Sequence, residues 1–355
     1  MVSPEKLDLF VPGRICLFGE HSDWAGGYRT QNPDLVPGAT IITGTDQGIS
    51  AKISPDKNIL SISSTDSDGI ITGPRNIPVN PQSLLDEARN SGFFSYIAGV
   101  AYEIQKNYQV GGLNIDNYLT NLPVKKGLSS SAAICVLTAR AFNRVYNLNL
   151  TTRQEMEYAY RGEILTGSMC GRMDQGCAYG NKPILMVFDG DKLDIRELMV
   201  GTDFYLVLVD LIAGKDTRII LKDLNSCFPF AKDPKSENLQ NLLGKTNQRI
   251  TGEAVDALKS GNPEKLGNLM TEAQKLFDDI AGPVCPSQLT APVLHRILTE
   301  SSLQPLIWGG KGVGSQGDGT AQFLVKSPDD QTRVARIVKD KFGMHSYPLT
   351  IKTTG

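Results

Sequence analysis

Leu122-Pro-Val-Lys-Lys-Gly-Leu-Ser-Ser-Ser-Ala-Ala-Ile134 sets a run of small residues directly ahead of a helical pattern. Ile134, Leu137, Ala141 and Val145 recur at three- and four-residue steps, which predicts an amphipathic helix. Ser129 or Ser130 suits its N-cap. Free backbone N–H groups and the positive end of the helix dipole then point out of the loop. Small side chains let an anion approach that backbone, so Gly127, Leu128, Ser129, Ser130, Ser131 and Ala132 are candidate phosphate-binding residues. The serine hydroxyls are also hard oxygen donors of the kind magnesium takes. The bland alternative is a serine-rich turn that only caps a helix.

Working outward, segments of both periods alternate. Gly48–Ile53 and Asn58–Ser63 alternate apolar and polar residues, which predicts antiparallel strands. A helical region over 83–107 is interrupted near Gly92, and 113–119 returns to strand. Thr151 and Thr152 suit a cap, with Glu155 placed for a capping box and a helix running to about Leu165. Residues 184–188 and 204–210 read as strands on either side of the polar, turn-rich run 189–194, where a domain boundary is expected. Further on, Leu266, Leu269, Met270, Ala273 and Phe277 form one helical stripe, and Val293, Ile297 and Leu298 another. Strands are expected at 304–308, 321–325 and 347–351, with a helix over 329–342.

At 355 residues the length suits about two domains. A formal net charge of −2 gives no bulk electrostatic case for nucleic acid or an anionic membrane. No apolar run reaches the roughly 20 residues that span a bilayer. Together with a start that carries no apolar signal region, this makes a cytoplasmic location the expectation. The six cysteines include no Cys-x-x-Cys pair and no nearby histidine at zinc spacing, so they read as reduced, mostly packed thiols, with Cys170 the one that adjoins a candidate site.

Two other stretches accompany the serine loop. One is Val11-Pro-Gly-Arg-Ile-Cys-Leu-Phe-Gly-Glu-His-Ser-Asp-Trp-Ala-Gly-Gly27, and the other is Trp308-Gly-Gly-Lys-Gly-Val-Gly-Ser-Gln-Gly-Asp-Gly319. In this order the three resemble the signature motifs of the GHMP small-molecule kinases, and the first is most similar to the galactokinase branch. The resemblance implies an α+β, two-domain GHMP kinase fold with its active site in the interdomain cleft. The domains would be residues 1–190, with the phosphate loop and acceptor motif, and 191–355, with the third, glycine-rich motif. It implies ATP and Mg²⁺ as cofactors, and a sugar or polyol substrate.

The same resemblance distributes roles. Cys170-Gly-Arg-Met-Asp-Gln175 is similar to a galactokinase run, which makes Asp174 the acidic residue beside the acceptor hydroxyl and Glu163 a magnesium ligand together with Ser131. Arg14 is the permanent cation toward the transferring group and Asp174. Asp174 either takes the hydroxyl proton or only orients the hydroxyl. Glu20, His21 and Asp23 would hold the acceptor, and two carboxylates beside an imidazole suit vicinal hydroxyls. Phosphoryl transfer asks mainly for positioning and charge neutralisation, which this set of residue types can supply. The chain departs from the galactokinase pattern at Cys16, at Trp24, in the run 29–37, and at Ser315-Gln316, where glycine is usual.

The expected reaction is ATP-dependent phosphorylation of a monosaccharide hydroxyl, the anomeric one first. The alternatives are a mevalonate-type kinase and a non-catalytic ATP- and sugar-binding sensor on the same fold. Gly312, Gly314 and Gly317 also fit Gly-x-Gly-x-x-Gly, but a dinucleotide site needs a helix after the loop, and 320–325 reads as strand.

Overall fold

In chain order the elements are β1 (Leu7–Phe18), α1 (Ser22–Gly27), β2 (Gly38–Asp56), β3 (Ile59–Thr65), β4 (Ile71–Pro78), α2 (Pro81–Arg89), α3 (Ser95–Gln105), β5 (Gly112–Thr120), α4 (Ser130–Tyr146) and α5 (Thr152–Ile164). There follow β6 (Ile184–Asp189), β7 (Lys192–Glu197), β8 (Phe204–Asp210), α6 (Thr217–Asn225), α7 (Pro234–Asn241), α8 (Asn247–Ser260), α9 (Pro263–Ile280), α10 (Pro286–Leu289), α11 (Pro292–Leu298), β9 (Ile307–Gly312), β10 (Thr320–Val325), α12 (Pro328–Phe342) and β11 (His345–Ile351). The structure is a computed structural model that describes residues 6–66, 68–90, 92–122, 128–168 and 170–354. Among them no helix is long and apolar enough to cross a membrane.

The chain forms two units, Met1–Arg14 with Gly44–Asn181, and Ile15–Thr43 with Lys182–Gly355. This differs from a single boundary near residue 190, because Ile15–Thr43 groups with the later residues. The cause lies in two long strands, β1 of 12 residues and β2 of 19, each of which gives its two ends to different units.

In the first unit β5 lies between β2, paired antiparallel, and β3, paired parallel, with β4 antiparallel to β3. The alternation over 58–63 predicts antiparallel pairing. The β3–β5 pair is parallel because β4, α2 and α3 intervene, a connection long enough for a crossover. Register sets Ile53 and Ile62 on either side of Ile115, so one face collects β-branched side chains. α3, α4 and α5 pack on one another and bury Ile97, Val100, Val136, Leu137 and Met156.

The start of α5 has a capping box, but from Thr151 and Gln154 rather than Thr152 and Glu155. Glu155 instead turns inward, where it accepts from Arg140 Nε at 2.9 Å and from Asn143 Nδ2 at 2.7 Å. A buried carboxylate needs such partners, and this one ties α5 to α4.

The second unit holds a four-stranded antiparallel sheet in the order β11-β8-β10-β9. Val207, Val209, Phe323 and Val325 form its core with Leu294, Ile297, Val334 and Val338. β6 pairs with the first residues of β2 and turns back into β7, a strand in the polar run read from sequence as turn. α9 lays its predicted stripe inward, with Leu266, Leu269, Met270 and Phe277 buried. It also runs close to β9. A Cβ on Gly309 would stand 2.0 Å from the Gly267 carbonyl oxygen, so glycine is required there.

Candidate active site

The serine loop enters α4 as the spacing predicts, with one difference. Ser129 is the N-cap but adopts the left-handed conformation (φ 55°, ψ 52°), and its side chain makes no capping hydrogen bond. An N-cap serine normally caps from extended backbone. The first-turn N–H groups are thus not closed off by that hydroxyl. Leu128, Ala132 and Ala133 are fully buried and anchor the helix start, while Ser129, Ser130 and Ser131 are half-buried. Gly127 lies outside the described residues.

Arg14, on β1, donates its backbone N–H to the Leu128 carbonyl at 3.1 Å. Its guanidinium forms an ion pair with the Asp174 carboxylate. Asp174 opens a 3₁₀ turn, Asp174–Tyr179, whose next residue is the fully buried Gln175. Gln175 donates to Glu163 Oε2 at 2.7 Å. Glu163, in the last turn of α5, is 1 % exposed, and the Ser131 hydroxyl lies beside its carboxyl. Burial pushes the Glu163 pKa up; the Ser131 hydrogen bond opposes this and the Asp174 charge adds to it. The first unit thus brings Arg14, Leu128–Ala132, Glu163 and Asp174 together. Sequence reasoning assigned no role to Gln175, although it stands inside the quoted motif. Cys170 sits beside the same groups; burial and the Glu163 charge push its thiol up to about 12, so it stays protonated.

The second unit carries the Gly19-Glu20-His21-Ser22-Asp23 turn. Gly19 has φ 95°, and a Cβ there would stand 2.1 Å from the Ala39 carbonyl oxygen, so only glycine fits. Glu20 is buried and forms an ion pair with Lys311 of β9, itself 1 % exposed. Lys311 also donates to the Gly312 carbonyl at 2.9 Å, and the Gly312 N–H donates to Gln274 Oε1 of α9 at 2.6 Å. Lys311 was not foreseen as a partner of Glu20, since nothing local to either residue marks a pair 291 positions apart. His21 is buried in the left-handed region (φ 68°), and its Nδ1 accepts the Trp24 indole N–H at 3.2 Å. Burial lowers its pKa to about 4, helped by the charges of Lys215 and Lys311 and opposed by the Ser315 backbone. Asp23 lies half-buried in the first turn of α1.

The run 29–37, unusual for the galactokinase pattern, is packed rather than loose. Arg29 bonds Asp189 at 2.5 Å, Asn32 donates to the Pro229 carbonyl at 2.8 Å, and Leu35 joins a core with Trp24, Tyr28 and Phe277. In the third motif Gln316 adopts φ 63°, which explains why glycine is usual at this place. The loop leads into β10, a strand, so the requirement of a dinucleotide fingerprint is not met.

The family described as GHMP kinases N terminal domain matches residues 95–181, which hold α3, the serine loop, Glu163 and Asp174. A galactokinase of Pyrococcus furiosus is 28% identical over 76% of this chain and 76% of its own. A galactokinase of Haemophilus influenzae is 24% identical over 95% of this chain and 89% of its own. Residues 95–181 thus match the GHMP kinase N-terminal family, and the chain as a whole is similar to galactokinases. Solved structures show the same fold. A Lactococcus lactis galactokinase complexed with galactose superimposes with TM-score 0.71 at 17% identity, covering 98% of this chain and 94% of that one. An L. major mevalonate kinase in complex with R-mevalonate gives 0.71 at 19% identity, covering 100% of both. The family match and the galactokinase relatives support an ATP-dependent kinase.

Proposed function

We propose that this protein is a GHMP-type kinase that transfers the γ-phosphoryl group of ATP to a monosaccharide hydroxyl, the anomeric one, by direct in-line displacement. The observation that carries the proposal is the convergence of the Arg14–Asp174 ion pair with Glu163 and Ser131 at the start of α4. The α4 N-terminus and the Ser129–Ser131 backbone would receive the phosphates. Arg14 supplies fixed positive charge against the charge that builds on the transferring group. Asp174 orients the acceptor hydroxyl and takes its proton as the bond to phosphorus forms. Acceptor recognition falls to Glu20, His21 and Asp23.

Magnesium suits the donor set. Ser131 and Glu163 bring a hydroxyl and a carboxylate side by side, and Gln175, which donates to Glu163, has its Oε1 buried without a hydrogen-bond partner among the described residues. Mg²⁺ takes one or two protein oxygens and completes its shell with phosphates and water. When bound it neutralises charge on the phosphate oxygens.

The galactokinase relatives favour a sugar, as does Asp23, which gives the acceptor turn a second carboxylate. The mevalonate-type reading rests on a fold match of equal quality, so the two are separated by assay. Purified protein with ATP and Mg²⁺ is offered a panel of hexoses, pentoses, polyols and mevalonate; ADP release is followed and the product is located by phosphorus NMR. A sugar 1-phosphate is the expected product. Turnover of mevalonate alone, or binding of ATP and sugar without ADP release, overturns the proposal in favour of the mevalonate-type kinase or the sensor.

A further inference from the structure

We propose that a doubly protonated His295 is a positioning residue that, through Asp278 and Gln274, locks the start of the glycine loop between β9 and β10 and so holds Lys311 against Glu20. The consequence for the acceptor rests on the kinase reading above; the charge state and the locking of the loop do not.

The chain of contacts has one direction of donation. The Gly312 N–H can only donate, so the amide oxygen of Gln274 faces it, at 2.6 Å. The other end of that amide is its NH₂ group, which donates to Asp278 Oδ1 at 2.8 Å. The second carboxylate oxygen, Oδ2, lies 2.9 Å from His295 Nε2. One proton sits between them, and it belongs on the imidazole, whose ordinary pKa is about 2.6 units above that of an aspartate. His295 Nδ1 lies 3.0 Å from the Thr290 carbonyl oxygen, which only accepts, so Nδ1 carries a proton too. A neutral ring beside an ionised Asp278 would set a lone pair against one of these two oxygens; the imidazolium satisfies both. Burial opposes the charge, but the hydrogen bond and charge of Asp278, with the Thr290 and Ala291 backbone, outweigh it and raise the His295 pKa above its ordinary 6.5. From α9 it is Asp278 that faces the ring. On α11, Arg296 lies over the Phe342 ring at 5.1 Å, and the loop's Asp318 is engaged by the Leu294 N–H.

The loop over 313–319 is anchored at both ends, and His295 joins the anchors. At its start, Gly312 is held by Gln274 of α9. At its end, Asp318 Oδ1 accepts the Leu294 N–H of α11 at 2.8 Å. Between them, Lys215 Nζ donates to the Gln316 carbonyl at 2.5 Å and to the Val313 carbonyl at 3.3 Å. His295 stands on α11 and its partner Asp278 on α9, so their contact ties one anchoring helix to the other. Lys311 immediately precedes the anchored amide. Its ammonium donates to the Gly312 carbonyl while it pairs with Glu20. A shift of the Gly312 backbone therefore moves the cation that faces Glu20. When His295 loses a proton, one link of the chain turns from attraction to repulsion and the start of the loop is released.

The test uses the full chain labelled with nitrogen-15 and two variants, His295→Gln and Asp278→Asn. Asp278→Asn turns one of the two acceptor oxygens into a donor, so either Gln274 or His295 loses its partner. The sequence has three histidines; the His295 signals are assigned by their loss in His295→Gln or, where that variant does not fold, as those that Asp278→Asn shifts. The wild-type ring should carry protons on both nitrogens and titrate with a midpoint above 6.5. Hydrogen exchange at the Gly312 amide, corrected for its intrinsic pH dependence, should quicken about tenfold in both variants, and in the wild type as pH rises through that midpoint. The acceptor KM should rise about three- to tenfold in both variants, with the ATP KM within twofold. The wild-type acceptor KM should climb toward the variant value over the same pH range in which His295→Gln stays level. A merely structural role would lower the melting temperature and leave that pH profile unmoved. A midpoint at or below 6.5, unchanged Gly312 exchange in the variants, or an unmoved acceptor KM overturns the proposal. Failure of every acceptor to release ADP would instead sink the kinase reading, and the proton count and Gly312 exchange would still decide the locking independently.

Discussion

Arg14 and Asp174 stand 160 positions apart in the chain and meet as an ion pair, the guanidinium almost wholly buried on β1 and the carboxylate partly exposed at the head of a 3₁₀ turn. That asymmetry matters for chemistry. The cation is held by the fold, while the carboxylate keeps an open side toward which an acceptor can come. Asp174→Asn preserves shape and removes the charge. Turnover should fall by about 10²–10⁴-fold, the usual contribution of a positioned acid–base group. ATP affinity measured by calorimetry should change little, because the α4 N-terminus is untouched. Turnover within a few-fold of the parent would exclude Asp174 from the reaction.

Glu163 is a carboxylate kept in a buried place where its charged form is disfavoured. Its folded pKa is raised, so the folded chain holds the proton more tightly than the unfolded chain does. The associated stability is present below the ordinary carboxylate pKa and is lost as pH rises through the folded value. Without metal, Glu163→Gln should therefore melt higher than the parent at pH 7, with the difference shrinking toward pH 4. The same variant should need more Mg²⁺ for half-maximal activity if Glu163 is a ligand. A lower melting temperature at pH 7 would show that the carboxylate is stabilising there, and an unchanged Mg²⁺ requirement would remove it from the metal site.

Much of this half was legible because its signals are local. The 3.6-residue period after Ser131 and the stripe from Leu266 to Phe277 depend on neighbours a turn away; both became helices, the second with its stripe buried, the first buried on most sides with Ile134 and Val145 only half-buried. What was not legible depends on residues far apart. Glu155 looked like a capping partner because helix starts favour acids, yet Arg140 and Asn143 across the α4–α5 contact claim it, and Gln154 completes the box. β7 went unread because an edge strand with few apolar residues, Lys192–Glu197, lacks the alternation that marks a half-buried one. The Glu20–Lys311 pair is of the same kind: nothing local to either residue points to a partner 291 positions away.

His21 offers a pH signature. Its folded pKa of about 4 lies below the ordinary 6.5, so between those values the unfolded chain binds more protons than the folded one. Stability from this group is complete above about pH 6.5 and is lost as pH falls toward 4. The shift corresponds to about 3 kcal/mol at full development. Urea denaturation from pH 7.5 to 4.5 should show a loss of stability in the parent that is smaller in His21→Gln. Parallel curves for the two proteins would mean that His21 titrates normally in the fold.

Lys311 and Glu20 make the sharpest stability test. Both side chains are almost fully buried, one on β9 and one in the acceptor turn. Removing one member of such a pair leaves an uncompensated charge and costs about 3–5 kcal/mol, whereas removing both can be nearly neutral. Lys311→Met should therefore destabilise strongly in urea, and Glu20→Gln combined with Lys311→Met should recover much of the loss. A double-mutant cycle isolates the coupling, since the residues are in direct contact. The kinetic outcome should split from the thermodynamic one. The double variant regains stability but not acceptor affinity, because Glu20 has lost the charge with which it accepts hydroxyl hydrogen bonds. Recovery of a normal acceptor KM in the double variant would mean that the pair only holds β9 to the turn, and that acceptor recognition lies elsewhere.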